Sequence, residues 1–275
     1  MRIITRDEII DNVAKLCVTA NTYLTSDVCN ALENAYNAET DDLPKSVLNT
    51  LLDNLEIAKQ ENMAICQDTG MAVVFLEIGQ DVHISGDITE AVNEGVRQGY
   101  KAGYFRNSIV SDPINRVNTN DNTPAVIHFN LVPGSNIKIT VAPKGFGSEN
   151  MSQIKMLNPS DGIDGVIDFV TECVRQAGAS PCPPIVVGVG IGGTMEKAAI
   201  LAKQALLLDL DDSLWSETEA LLLEKINALN IGPAGFGGKT TALGVKILTY
   251  PTHIAGLPVA VNINCHVARH QSVII

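Results

Sequence analysis

The chain has 275 residues, of which 45% are hydrophobic and 18% are charged, and its formal net charge is −12. This composition is that of a globular protein with one large or two small domains, and the negative charge argues against a nucleic-acid-binding protein, which needs a basic surface. No apolar run approaches the roughly 20 residues of a membrane span, and the N-terminus lacks the apolar stretch of a signal peptide, so we expect a cytoplasmic protein without membrane partners.

The first 60 residues are predicted to be helical. Thr5 and Glu8 fit a capping box, in which the threonine side chain binds a first-turn N–H and the glutamate reaches back to the N-cap. Two apolar stripes with helical spacing follow, at Ile9, Val13, Leu16 and Cys17 and then at Leu48, Leu51, Leu52 and Leu55.

Strand-like and helical patterns then alternate irregularly along the rest of the chain. Two runs, 125–132 and 137–141, flank Pro133-Gly134-Ser135-Asn136 and are predicted to form a hairpin. Two later runs, 244–250 and 257–264, are predicted to form a final strand pair. Further strands are predicted at 72–79 and 184–189, and helices at 91–104, 161–178, 194–208 and 216–229.

This irregular alternation does not indicate a doubly wound sheet. We expect a mixed α/β (α+β) fold, in which a helical N-terminal region, residues 1–60, precedes a helix–strand body with mixed sheets, residues 61–275. The two parts are interpreted as one domain, because no linker or low-complexity segment separates them.

Three of the six cysteines, Cys66, Cys182 and Cys265, lie beside turn formers at the edges of apolar segments. No CxxC pair occurs, which disfavours a zinc finger or a ferredoxin. Strand ends deliver ligands to clefts, and three thiolates without a fourth protein ligand can hold an iron–sulfur cluster with one iron left open. Spacing alone leaves ordinary buried cysteines as an equal alternative. The other three fall on predicted helical faces and are predicted to be core thiols: Cys17, Cys29 and Cys173.

Polar groups with possible chemical roles lie near the first of these cysteines and in a later loop. Gln67 and Asp68 follow Cys66 directly, and a carboxylate at that position can act as an acid or base. The plainer alternative is a turn in which the aspartate binds its own backbone. Arg106 begins a long polar stretch and can bind a carboxylate through two parallel hydrogen bonds, although a surface arginine is the commoner case.

Three glycine-rich stretches occur at 144–149, 188–194 and 232–241. The last two suggest an anion site at a helix start, but neither contains the full phosphate-binding string. We interpret them as places where the backbone closely approaches a cluster or a small anion. His253 lies in a predicted turn before the last strand, 12 positions before Cys265 across an apparent hairpin, and a surface or packing histidine is the alternative.

Several of these segments resemble the class I (iron–sulfur) fumarate hydratase family. The resemblance runs from about residue 10 onward and is closest to the alpha subunit, or N-terminal half, of the two-part enzymes. The string from Asp121 to His128 looks more like the fumarase branch than the tartrate dehydratase branch. The matching segments are 65–70, 118–124, 182–184, 188–193 and 232–235, with Arg106 and Cys265.

The resemblance implies a function and a set of site residues. It implies reversible hydration of fumarate to L-malate, with a [4Fe–4S] cluster held by Cys66, Cys182 and Cys265. The substrate contacts that it implies are Gln67, Arg106 and Gly147, and the catalytic residues are Asp68 and His253. L(+)-tartrate dehydratase, mesaconate hydratase and a non-catalytic metal- or iron–sulfur-binding module remain as alternatives.

The family also has a second lobe, which resembles a separate beta subunit and has no counterpart in these 275 residues. The resemblance therefore implies that the chain works with a beta subunit in an α2β2-type assembly on a small dicarboxylate. We expect the alpha-type chain alone to be inactive or nearly so.

Overall fold

The computed structural model describes residues 2–211 and 216–275. Helices and strands alternate along the chain, and the strands include two four-stranded sheets. The expected mixed α/β fold is therefore confirmed. None of the helices in this part of the chain is long and apolar enough to cross a membrane. In chain order the elements are β1 (Arg2–Thr5), α1 (Arg6–Thr22), α2 (Ser26–Ala38), α3 (Asp42–Glu61), β2 (Met71–Gly79), β3 (Val82–Ser85), α4 (Ile88–Ala102), β4 (Val126–Val132), β5 (Ile137–Lys144), α5 (Phe146–Glu149), β6 (Gln153–Leu157), α6 (Gly162–Ala177), β7 (Ile185–Gly192), α7 (Met195–Ala205), α8 (Glu217–Asn227), β8 (Ala242–Tyr250), β9 (Leu257–Asn264) and β10 (Gln271–Ile274).

The chain divides into two compact units made of interleaved segments. The predicted boundary near residue 60 does not coincide with this division and stays a prediction. The first unit comprises Met1–Thr25, Leu55–Phe146 and Arg269–Ile275, and the second comprises Ser26–Asn54 and Gly147–Ala268.

Helix ends follow the capping signals of the sequence in most cases. The capping boxes at Thr5 and Ser216 both form, and Gly178 ends α6 in a left-handed conformation with φ 53°. Thr194, the first residue of the predicted helix 194–208, immediately precedes α7; its hydroxyl donates to the Glu196 carboxylate at 2.6 Å and makes no capping bond.

The sheet of the first unit has the strand order β10-β5-β2-β4. Strand β2 pairs in parallel with β4 and antiparallel with β5, so Val74 lies opposite both Ile127 and Val141. The predicted hairpin of β4 and β5 is therefore wrong, because β2 lies between these two strands. The apolar pattern located both strands, but it carries no information about a third strand inserted between them.

Helices α1 and α4 form the helical layer of the first unit, and α1 also packs against the sheet. The two helices approach closely where α4 has glycines. A Cβ at Gly95 would lie 2.6 Å from the Val13 Cβ, and one at Gly99 would lie 2.7 Å from the Ala14 carbonyl oxygen. The core residues of the two helices and the sheet include Ile9, Val13, Cys17, Val74, Val92, Val96, Ile139 and Val141.

The sheet of the second unit has the order β6-β9-β7-β8. Strand β7 runs parallel to β8 and antiparallel to β9, with Ile185 opposite Ala242 and Val186 opposite Asn264. The predicted final pair of β8 and β9 is wrong, because β7 lies between them. The start of β7 and the end of β9 consequently lie side by side at one end of the sheet.

Because the glycines of β7 have no side chains, helix α7 can pack closely against one face of this sheet. A Cβ at Gly188 would lie 2.1 Å from the Ala202 carbonyl oxygen, and one at Gly190 would lie 2.0 Å from that of Ala198. Gly188 and Gly190 therefore serve contact between helix and sheet, and a close approach of the stretch 188–194 to a cluster or anion stays a prediction. The opposite face is covered by α6 and α8.

Candidate functional site

In the first unit, the loop from Cys66 to Gly70 leads into β2, and buried side chains hydrogen-bond to its main-chain oxygens. The Tyr100 hydroxyl donates to the main-chain oxygens of Thr69 and Gly70 at 2.8 and 3.1 Å, and the Asn122 amide also donates to Gly70 at 3.1 Å. Burial raises the pKa of Tyr100 far above its ordinary value, so its hydroxyl remains a donor. The loop therefore has a fixed main-chain path, with Cys66 itself half-buried.

Asp68 is the most completely held residue of this loop. Its Oδ1 accepts from the Gly70 N–H at 3.0 Å and its Oδ2 from the Phe146 N–H at 2.9 Å. Its main-chain oxygen accepts from the guanidinium of Arg269. The predicted turn, in which Asp68 binds its own backbone, therefore forms, and the same hydrogen bonds fix the orientation of the carboxylate that is predicted to act as an acid or base.

Arg106 lies beside the same loop. Its main-chain N–H donates to the Thr69 hydroxyl at 3.2 Å, and its carbonyl oxygen accepts from that hydroxyl at 3.3 Å. The side chains of Arg106 and Gln67 are both exposed. The first unit therefore brings Arg106 beside the loop that contains Cys66, Gln67 and Asp68, and the roles that the resemblance implies for these residues stay predictions.

The polar stretch after Arg106 is anchored at its far end by an ion pair. Arg97 donates to the Asp121 carboxylate at 2.9 Å, and the Asp121 carboxylate also accepts from the Thr123 hydroxyl at 2.7 Å. Partial burial raises the pKa of Asp121, but the Arg97 guanidinium and the Thr123 donors outweigh it and lower the value to about 2. Asn122, next in the chain, accepts from the Ser108 N–H at 2.8 Å and so ties both ends of the stretch together.

In the second unit, Cys182 and Cys265 lie at the same end of the sheet. Cys182 precedes β7 and Cys265 follows β9, whose adjacent ends are in register. The Cys182 carbonyl oxygen lies 3.0 Å from Nδ1 of His266, the residue after Cys265. Cys182 is exposed with a left-handed φ of 55°, and Cys265 is half-buried. The fold thus places two of the three predicted ligands together.

Gly147 lies beside the segment that leads to Cys182 in the second unit. A Cβ on Gly147 would be 3.8 Å from the carbonyl oxygen of Ser180, two residues before Cys182. The helical turn that contains Gly147 is anchored through Glu149, which accepts from Lys203 at 2.6 Å and from Asn262 at 2.9 Å. Gly147 itself is exposed.

His253 lies at the other end of the same sheet. It is exposed in the loop between β8 and β9, and its Nδ1 accepts from the Ala255 N–H at 3.2 Å. The length of β7, eight residues or about 25 Å, separates that end from Cys182 and Cys265. One copy of the second unit therefore does not bring His253 to its own cysteines.

The donor chemistry of these cysteines fits an iron–sulfur cluster, since thiolates are its usual ligands. Two of them lie together at a sheet end, with Cys182 exposed and Cys265 half-buried, and the six cysteines form no disulfides. Among residues 2–211 and 216–275, no group of three or more His, Cys, Asp or Glu side chains is arranged to hold a single metal ion.

The remaining cysteines follow the sequence prediction in two of three cases. Cys17 and Cys173 are buried core thiols, and burial raises the pKa of each to about 12. Cys29 is only half-buried, on α2. Residues that the sequence did not single out, Tyr100, Asn122 and Arg269, fix the Asp68 loop. A polar residue within an apolar helical stripe was the available signal for Tyr100.

Comparison with known proteins identifies the family. The family described as Fumarate hydratase (Fumerase) matches residues 10–274. A protein of Methanocaldococcus jannaschii that carries the provisional name L(+)-tartrate dehydratase subunit alpha is 43% identical over 273 residues, or 95% of each chain. The L(+)-tartrate dehydratase alpha subunits of Escherichia coli O157:H7 and K12 are 30% and 29% identical over 277 residues, covering 98% of this chain and 91% of theirs.

The chain belongs to the fumarate hydratase family, as the resemblance in its sequence indicated. Membership in this family supports the interpretation of the chain as part of a hydro-lyase. The names of these relatives do not confirm the preference for the fumarase branch that was read from residues 121–128.

Proposed function

We propose that this chain is the alpha subunit of an iron–sulfur hydro-lyase that interconverts fumarate and L-malate by reversible hydration. The observation that carries the proposal is the pairing of Cys182 and Cys265 at one end of β7 and β9 in a chain of this family. Cys66, Cys182 and Cys265 would be the ligands of a [4Fe–4S] cluster. When bound, such a cluster with one open iron supplies a Lewis acid for a substrate hydroxyl and carboxylate.

The chain's own residues supply positioning and proton transfer. Hydration of fumarate adds a proton to one carbon and hydroxide to the next, and the reverse reaction removes a weakly acidic proton beside a carboxylate. Asp68 is proposed as the group that exchanges this proton, because two main-chain N–H groups fix its carboxylate and leave lone pairs for a substrate.

Substrate carboxylates require donors of matching geometry. The exposed Arg106 guanidinium is proposed to bind one carboxylate through parallel hydrogen bonds, with the Gln67 amide beside it. Gly147 is proposed as a main-chain contact, since the absence of a side chain lets a ligand approach its backbone. His253 is proposed as a further catalytic residue.

A second candidate substrate is L(+)-tartrate. It is favoured by the names of the M. jannaschii and E. coli relatives, all of which are L(+)-tartrate dehydratase alpha subunits by name. Tartrate carries one hydroxyl more than malate, so the same carboxylate contacts and proton transfer serve both. The alpha-subunit names also support the proposed beta subunit and α2β2-type assembly, and we propose a cytoplasmic location.

The test is anaerobic reconstitution of the chain with iron and sulfide, alone and together with a beta-type subunit encoded in the same genome. We expect the pair to interconvert fumarate and L-malate, and the single chain to be inactive or nearly so. An electron paramagnetic resonance signal of the reduced cluster should shift when dicarboxylate is added. Dehydration of L(+)-tartrate with no activity on fumarate would select the second candidate.

Matched cysteine variants make this test specific. Cys66→Ser, Cys182→Ser and Cys265→Ser should each lose the cluster signal and the activity, whereas Cys29→Ser on α2 should keep both. A wild-type pair that binds no cluster and acts on neither substrate would contradict the proposal.

A further inference from the structure

A buried arginine lies under the Cys66–Gly70 loop of the first unit. Arg269 is 4% exposed; its Nη2 donates to the main-chain oxygen of Asp68 and its Nε to that of Pro143 at 3.4 Å. Nη1 is also buried, and among the described residues it has no hydrogen-bond partner. This guanidinium therefore holds the loop while both N–H groups of Nη1 have no hydrogen-bond partner among the described residues.

The positive charge of Arg269 is not paired with a carboxylate at ion-pair distance among the described residues. Asp68 contacts the guanidinium through its main-chain oxygen, while its carboxylate oxygens accept from Gly70 and Phe146. A buried cation without an anionic partner is strongly destabilising, so its presence indicates that negative charge joins it when the site is complete.

We propose that Arg269 is a positioning residue that balances the negative charge of the cysteine-ligand loop. This inference rests on the proposed function, in which Cys66, two residues before Asp68, contributes a thiolate to a bound cluster. Thiolates and the cluster they hold add negative charge at that loop. Arg269 then stabilises the loaded form more than the empty form, through its charge as well as through its hydrogen bonds.

The charge and the hydrogen bonds can be separated by two substitutions in the complex of the chain with its beta subunit. Arg269→Gln keeps N–H donors but loses the charge, and Arg269→Lys keeps the charge but loses the planar fork. The measurement is the rise in Tm when the empty complex is loaded with its cluster, together with the half-life of the cluster in the presence of an iron chelator. Arg175→Met, on the exposed face of α6, is the control.

We expect Arg269→Gln to reduce the rise in Tm and to shorten the cluster half-life about tenfold, a size consistent with one partly screened charge at short range. Arg269→Lys and Arg175→Met should retain the wild-type rise. A purely structural role for Arg269 would lower the Tm of the empty and loaded forms equally, and that result would overturn the inference.

Other outcomes are equally decisive. Should Arg269→Gln fail to fold, a loss of the Tm rise in Arg269→Lys would overturn the inference and a retained rise would support it. A wild-type complex that takes up no cluster would refute the proposed function and this inference together. A wild-type complex that loads normally, with an Arg269→Gln variant indistinguishable from it, would refute the inference alone.

Discussion

Single residues hold the Asp68 loop mainly through main-chain atoms. The side chains that donate to carbonyl oxygens of residues 68–70 are those of Tyr100, Asn122 and Arg269, and these hydrogen bonds fix the path of the loop. The side chains of Gln67 and Arg106 stay exposed. The polar stretch that contains Arg106 depends in turn on Asp121. That carboxylate therefore links stability to pH on this side of the first unit.

Asp121→Asn should destabilise the protein at neutral pH but not in strong acid. The folded pKa of Asp121, about 2, is below the ordinary value of 3.8, so its stabilising effect is fully present above pH 4 and is lost as pH falls from 4 to 2. We expect Asp121→Asn to lower the free energy of unfolding by about 1–2 kcal/mol at pH 7. Urea unfolding of wild type and variant from about pH 2.5 to about pH 7 measures this, because the range extends from near the folded pKa of Asp121 to well above its ordinary value.

Asp11→Asn, at an exposed position of α1, is the matched control and should leave the free energy of unfolding nearly unchanged at both pH values. A difference between wild type and Asp121→Asn that stays constant down to the acid end would show that the Arg97–Asp121 pair is not the source of the effect.

At the scale of elements, the contact between β7 and α7 depends on the absence of side chains. A Cβ added at Gly188 or Gly190 would meet a main-chain carbonyl oxygen of α7. These oxygens belong to a packed helix and cannot rotate away as a flexible side chain can. The same strand also begins next to Cys182. A change in this contact therefore affects the core of the second unit and the placement of its cysteines.

Gly190→Ala should be strongly destabilising, because its Cβ would lie 2.0 Å from the Ala198 carbonyl oxygen and force α7 away from the sheet. We expect a loss of about 1–3 kcal/mol or more in the free energy of unfolding, as for other overpacked sites. Gly256→Ala is the control, since nothing lies within 4 Å of its added Cβ. Equal thermal unfolding of the two variants would contradict the close helix–sheet contact.

Sequence patterns located most helices and strands but not the partners of the strands. All four runs of the two predicted pairs form strands: 125–132, 137–141, 244–250 and 257–264. In each pair, however, a strand from earlier in the chain lies between the two partners, β2 in the first pair and β7 in the second. Apolar periodicity reports which face of a strand is buried and not which strand lies beside it. Likewise, a glycine in the sequence signals close approach without showing what approaches, and at Gly188 and Gly190 it is the main chain of α7.

The candidate site was predicted unevenly for similar reasons. Motif strings indicated Cys66, Asp68, Cys182 and Cys265, and the structure brings the first two together in one unit and the last two together in the other. The role of Arg269 was not predicted, because it arises from burial beneath a loop some 200 positions earlier in the chain. No local pattern reports such a long-range contact.

At the scale of the whole molecule, the position of His253 at the far end of its sheet bears on assembly. A proposed catalytic histidine that lies one strand length from its own Cys182 and Cys265 can act only with the cysteines of another copy, which a symmetric assembly permits. Co-assembly of equal amounts of His253→Ala and Cys265→Ser chains, in the presence of beta subunit, should restore about a quarter of wild-type activity. Random assembly makes about half of the pairs mixed, and half of the sites in each mixed pair are intact.

Co-assembly of Cys182→Ser with Cys265→Ser chains is the control and should restore nothing, because both ligands belong to the same end of one sheet. Activity of the His253→Ala and Cys265→Ser mixture no higher than that of either variant alone would show that His253 does not act across copies.

The interleaving of the two units sets an order of events during synthesis. Strand β10 completes the sheet of the first unit beside β5, where Ile275 and Ile137 exchange main-chain hydrogen bonds of 2.9 Å. On the ribosome the whole segment Gly147–Ala268 must emerge before that edge of β5 can be covered. Neither unit can therefore finish folding as one continuous stretch of nascent chain, and Arg269, which pins Asp68, arrives only with the last strand.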